Sequence, residues 1–198
     1  MGLKDVLITI TGRLTGDTYY ARSYPDDDID NNDRIELYET PVYWVTIQND
    51  TIKREWKALR FMPYWNDPNN PDPRYKFKGW TNAGLSDAIT RMVITNYNKD
   101  YRVSNRPSPY DGAIRIKGSF LIHAGPRTMD DLGWGSAGCV EIIGDFNSFK
   151  KDICDLSGST ISNVDDSLLS IVKKRKLILS LEYAKRPDLK SKFLKEIP

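Results

Sequence analysis

Several features that usually announce a function class are missing from this chain. It has no run of about 18 apolar residues, the minimum for a membrane-spanning helix, so insertion into a membrane is not expected. The chain has one histidine and two cysteines, Cys139 and Cys154, and neither their number nor their spacing suggests a zinc site or a disulfide scaffold. An excess of one charge is lacking as well. Lys and Arg total 29 against 27 Asp and Glu, and a net charge of +2 gives no field that would gather nucleic acid or an anionic surface. The opening "MGLKDVLITITGRLTG" has one lysine followed by an acid and only a short apolar stretch broken by threonines, so no secretory signal is read there. Val6 stands where N-myristoylation requires Ser or Thr. Internal repeats and low-complexity segments are absent.

What remains is the composition of a folded, soluble domain: 39% apolar, 11% aromatic and 28% charged residues. A length of 198 residues suits a single domain spanning 1–198. Its first part, 1–65, alternates in "DVLITITGRL", "DTYYARSY", "RIELYETPVYWVTIQ" and "TIKREWKALRFMPYW", which predicts an antiparallel β region. The segment "NDPNNPDPRYK" (66–76) reads as a surface loop. A core over 77–183 follows. Leu85, Ile89, Met92 and Val93 have helical spacing and predict a short helix over 83–94. "AIRIKGSFLIHAG" predicts one or two strands, "VEII" a brief one, and "DFNSFKKDICDLSG" a helix capped by Asp and ended by Gly. "DDSLLSIVKKR" predicts another helix, "KLILSLEYA" a last strand, and 184–198 a basic tail. The expected class is therefore α+β and β-rich.

Chemistry concentrates in residues 120–142, "FLIHAGPRTMDDLGWGSAGCVEI", which hold the only histidine. A cysteine nucleophile acts as the thiolate and needs a base together with amide donors for the oxyanion it creates. Glycines around Cys139 allow a sharp turn, so the Gly138 and Cys139 N–H groups are natural donors. His123, sixteen residues upstream, is the only imidazole that can serve as base. Elsewhere the bland readings prevail. Cys154 lies on the apolar face of its predicted helix and reads as packing. The alternating Asp26, Asp28 and Asp30 lack the Gly and Glu of a calcium loop, since Asn31 and Leu37 stand in those places. Of the five tryptophans, Trp134 lies between base and nucleophile, where an exposed ring would wall a groove. Arg127 in the same loop is a candidate partner for a carboxylate.

The pattern His123-Ala124-Gly125, a loop, then Ser136-Ala137-Gly138-Cys139-Val140-Glu141, with an apolar "FLI" leading in, resembles the L,D-transpeptidase (YkuD-like) family of bacterial cell walls. The resemblance covers roughly residues 112–144. It implies a β-sandwich or barrel core with flanking helices, Cys139 as nucleophile, His123 as base, and the Ala124 carbonyl as the group orienting the imidazole. Ser136 would steady the loop, and Gly138 would help form the oxyanion hole. Substrate contacts would come from Gly125, Ala137 and Glu141, beside Trp134 and Arg127. Ala137 replaces the family's usual His or Arg, and Glu141 its usual Arg or Asn. The implied substrate is a peptidoglycan stem peptide, with no metal or organic cofactor and no nucleic-acid partner. The implied reaction is acyl transfer through a cysteine thioester. The alternatives are hydrolysis as a carboxypeptidase or endopeptidase, including as an exported antibacterial effector, and a non-catalytic cell-wall or glycan-binding module. The site of action implied is the periplasm or cell wall after export.

Overall fold

The computed structural model describes residues 2–25, 35–61, 63–65, 79–80, 85, 87–103, 112–135, 138–185 and 195–197. It is a strand-rich α+β fold. Its strands are β1 (Val6–Arg22), β2 (Tyr24–Pro25), β3 (Ile35–Gln48), β4 (Lys53–Leu59), β5 (Pro63–Trp65), β6 (Gly79–Trp80), β7 (Ile89–Val93) and β8 (Tyr97–Asn98). The chain continues through β9 (Ala113–Lys117), β10 (Phe120–Ala124), β11 (Val140–Ile143), helices α1 (Phe146–Ser157) and α2 (Val164–Lys173), β12 (Leu177–Leu181) and β13 (Lys195–Ile197).

One mixed sheet runs β7-β12-β1-β3-β4-β11-β10-β9-β8, with β13 added on β3, and β2, β5 and β6 form a small second sheet. Most neighbours are antiparallel. The exceptions within the large sheet are β1 with β12 and β10 with β11, which run parallel. The two predicted strands of residues 5–24 are one 17-residue strand, β1, whose pairing with β3 shifts register between Ile10 and Leu14 and again between Leu14 and Thr18. Such irregularities bend a strand without ending it, so the glycine between the two segments does not separate two elements.

Period-two alternation sorts the sheet into two faces. Val6, Ile8 and Ile10 of β1, Val45 and Ile47 of β3, and Ile122, Val140 and Ile142 of β10 and β11 all enter the main core. Helices α1 and α2 cover that face with Phe146, Phe149, Ile153, Leu168 and Ile171. The α1 ends match the sequence reading. Asp145 accepts a hydrogen bond from the Asn147 N–H, and Gly158 closes the helix in the left-handed region at φ 71°. Behind α1, fully buried Lys150 donates to Asp165 at 2.7 Å and to the Tyr97 hydroxyl, tying α1, α2 and β8 together.

The opposite face carries a smaller cluster of Tyr19, Ala21, Val42, Leu59, Trp134 and Ile143. Buried Arg60 stitches strand ends together, donating to the carbonyl oxygens of Thr11, Leu85 and Glu182. Burial pulls its pKa down to about 10, against the Tyr43 phenol and Glu182, which favour the charged form.

The helix expected over 83–94 is not formed. Ile89–Val93 is instead strand β7, paired antiparallel with β12 through Ile178↔Val93, Leu179↔Met92 and Leu181↔Ile89. The edge of β12 offers a ladder to a β-branched segment, and that pairing outweighs a helical spacing of four apolar residues. In the basic tail, Lys195–Ile197 pair with β3 opposite Leu37, Glu36 and Ile35. The proline-rich loop at 66–76 and the aspartates at 26, 28 and 30 lie outside the described residues.

Candidate active site

The apolar lead-in "FLI" builds β10 because Ile122 and Ala124 enter the main core, which turns His123 to the opposite face. Parallel pairing with β11 sets Ile122 beside Val140, His123 beside Glu141, and Ala124 beside Ile142. Cys139 comes one residue before β11 and two before Glu141, and it lies close enough to Tyr101, whose ring packs on that of His123, for its charge to bear on the phenol. Both His123 and Cys139 are held by backbone that is part of, or adjoins, the sheet.

The imidazole is 1% exposed. Its Nδ1 lies 2.7 Å from the Ala124 carbonyl oxygen. A carbonyl only accepts, so Nδ1 carries the proton and Nε2 presents a lone pair. Desolvation lowers the pKa of His123 from 6.5 to about 4, with the Ala124 carbonyl pulling weakly the other way. At neutral pH the ring is uncharged, in the tautomer a base requires.

Cys139 is a half-buried thiol outside any disulfide, in contrast to the buried Cys154. Its turn is set by Gly138, buried at φ 117°, a conformation open to glycine and costly for any side chain. The loop that leads there is tied to β1. The Tyr19 hydroxyl donates to the Asp131 carbonyl at 2.6 Å and accepts from the Trp134 N–H at 3.0 Å. The Arg22 side chain donates to the Gly133 carbonyl at 2.6 Å, and the Gly133 N–H donates to Tyr20. Asp131 accepts from the Arg127 N–H and from the Trp134 indole.

These contacts and the packing around them show where the expected substrate residues lie. Trp134 is 7% exposed and packs with Tyr19, Val42 and Leu59, so it anchors the loop where an exposed ring was expected to wall a groove. Arg127 lies close enough to Asp145, the α1 cap, to help lower that carboxyl's pKa; the leading cause is the hydrogen bond from Ser148. Gly125 is fixed by close approach, since a Cβ there would meet the Glu141 Cβ and the Ile142 oxygen at 2.8 Å. Glu141, 1% exposed, lies next to His123 in the parallel register. Ser136 and Ala137 lie outside the described residues.

Sequence reasoning missed Tyr101. Its ring centroid is 5.5 Å from that of His123. Burial raises the phenol's pKa, and negative charge at Cys139 and Glu141 raises it further, which sets Tyr101 among the three. The local sequence "NKDYRV" holds no motif that would have singled it out.

Beyond Tyr101 a cavity of about 450 Å³ opens, lined by Asn96, Asn98, Tyr101, Ala113, Arg115, Gly118, Ser119 and Leu121. Among the described residues no three His, Cys, Asp or Glu side chains cluster as metal ligands would. No family model matches the chain, and neither a curated protein nor a solved structure matches it.

Proposed function

We propose that the chain is a cysteine acyltransferase of the L,D-transpeptidase type, with an L,D-transpeptidase-like core, acting on peptidoglycan stem peptides outside the bacterial cytoplasm. One observation carries this reading: His123 is a neutral imidazole whose Nδ1–H is held by the Ala124 carbonyl, on the strand that pairs in parallel with the one Cys139 leads into. The resemblance of the segment from His123 to Glu141 to that family supplies the substrate class.

In this mechanism Nε2 of His123 takes the thiol proton as Sγ attacks the carbonyl carbon of the third stem residue. The C–S bond forms, and the Gly138 and Cys139 N–H groups receive the oxyanion. Collapse breaks the C–N bond to D-alanine, and the imidazolium returns its proton to the departing amine. Burial that weakens His123 as a base makes its protonated form a ready acid for this step. An acceptor amine then attacks the thioester, His123 takes the amine's proton, and that proton passes to the released sulfur.

The test is intact-mass analysis after exposure to a carbapenem. One adduct should form on Cys139, disappear in His123→Gln, and leave Cys154 unmodified, because burial raises the Cys154 thiol pKa and leaves it only 6% exposed. Equal modification of both cysteines, indifferent to His123→Gln, overturns the proposal. Supplying a tetrapeptide with and without an acceptor amine then separates transfer from hydrolysis by the products formed.

A further inference from the structure

The ring that packs on His123 comes from a segment that is tied down at each step. Arg115 of β9 donates its N–H to the Asn96 carbonyl at 3.1 Å, and Tyr97 and Asn98 pair with Ile114 and Ala113. The Asn98 carboxamide oxygen accepts the Asp100 N–H at 3.0 Å, which fixes the turn at Lys99 and Asp100. Tyr101 follows, and its carbonyl accepts the Gly112 N–H at 3.3 Å.

The segment carries two tyrosines with different surroundings. Tyr97 enters the main core under the helices, where its hydroxyl donates to Asp165 of α2 and accepts from Lys150 of α1 at 3.2 Å. Tyr101 lies with His123, the ring planes at 37° to each other. Gly112 joins the two. Its φ of 74° suits glycine, and a Cβ there would strike the Tyr97 hydroxyl and lie 2.9 Å from the Tyr97 Cζ. The same residue's N–H holds Tyr101, so a shift of the Tyr97 ring reaches Tyr101 through a single residue.

Cover at this point matters for the imidazole. Its neighbour on β9 is Ala113, whose methyl group shields little of a ring, yet His123 is 1% exposed. Burial raises the pKa of the Tyr101 phenol, and its charged neighbours Cys139 and Glu141 raise it further. The phenol therefore keeps its proton at neutral pH and covers the imidazole without adding charge.

We infer that Tyr101 is a positioning residue for the candidate base: its ring caps the His123 imidazole against water, and Tyr97, acting through Gly112, fixes that cap from the helix side of the sheet. The role of His123 as a base rests on the proposed acyl transfer, whereas the cap itself does not. Through this tether the packing of α1 and α2 has a hold on a group carried by the other face.

The imidazole Cε1–H resonance tests it, because its titration midpoint follows the desolvation of the ring and a loss of global stability alone does not move it. The wild-type midpoint is expected near 4. Tyr101→Ala should raise it by about one to two pH units, while Tyr101→Phe, which keeps the ring, should leave it in place. Gly112→Ala should raise it by about one pH unit. Tyr97→Phe keeps the ring and the 2.7 Å Lys150–Asp165 pair, and should raise the midpoint by about half a unit. A midpoint still near 4 in Tyr101→Ala overturns the cap, and so does an equal rise in Tyr101→Phe and Tyr101→Ala. Unmoved midpoints in Gly112→Ala and Tyr97→Phe overturn the tether. Wild type supplies a check that needs no variant: a nuclear Overhauser contact between the Tyr101 and His123 ring protons is required, and its absence overturns the cap. A raised midpoint in Tyr101→Ala beside a Cys139 that no carbapenem acylates would sink the acyl-transfer reading and leave the cap standing. Acylation of Cys139 with an unmoved midpoint in Tyr101→Ala would do the reverse.

Discussion

The chain's only histidine makes the electrostatics of the site directly measurable. His123 is 1% exposed, and burial lowers its pKa to about 4 from an ordinary 6.5. Between these values the unfolded chain binds a proton that the native protein does not. Stability therefore rises with pH across that window, is level above about 6.5, and is lost progressively as pH falls toward 4. The gap corresponds to about 3 kcal/mol, most of it already lost at pH 4.5. Two measurements check this. The single imidazole Cε1–H signal should stay at its neutral position down to pH 5 and titrate with a midpoint near 4. Urea unfolding at pH 7 and pH 4.5 should then show a larger drop for wild type than for His123→Gln, by about 2–3 kcal/mol. Subtracting the variant cancels the carboxylates, which also lose stabilising partners in acid. A midpoint near 6.5, or equal acid sensitivity in the two proteins, would refute the desolvated, neutral ring.

Gly138→Ala places a side chain at φ 117°, a strain of about 1–3 kcal/mol that the turn can relieve only by moving the Cys139 amide; Cys139 acylation should slow by about 100-fold with the fold retained by circular dichroism. Asp145→Ala removes the α1 N-cap and should cost about 1 kcal/mol in denaturant unfolding without changing the rate of Cys139 modification. An Asp145 variant as stable as wild type would count against the cap as drawn.

Local signals carried much of the fold. Asp145 and Gly158 bracket α1 where cap chemistry places them, and "FLIHA", "VEII" and "LILSL" each became strands because their apolar residues alternate or run unbroken into the core. Residues 89–93 were misread because four apolar positions satisfy a helix as easily as an edge strand, and the partner that decides between them, β12, lies far along the chain. In the candidate site, the Ala124 carbonyl was expected beside the His123 ring because the segment resembles a family in which it orients the imidazole, and the two lie 2.7 Å apart. Tyr101 was not, because what joins it to His123 is a ring contact between segments distant in the chain, and no short window of sequence encodes that. Trp134 was misjudged for a related reason. Its burial depends on Tyr19, Val42 and Leu59, on strands more than seventy residues away.

The parallel pairing of β10 and β11 explains why the site has this form. An antiparallel partner would follow a tight turn, and His123 and its strand neighbour would be joined across a hairpin. A parallel partner forces the chain to travel back along the sheet before re-entering it, and here the returning loop crosses the face opposite the helices. Tyr19, Arg22 and Asp131 hold that loop in place, and Gly138 lets it turn inward at the start of β11. Cys139 thus re-enters beside the strand that carries His123. The same crossover that sets Val140 beside Ile122 returns Cys139 to the sheet one residue before its pairing with β10 begins.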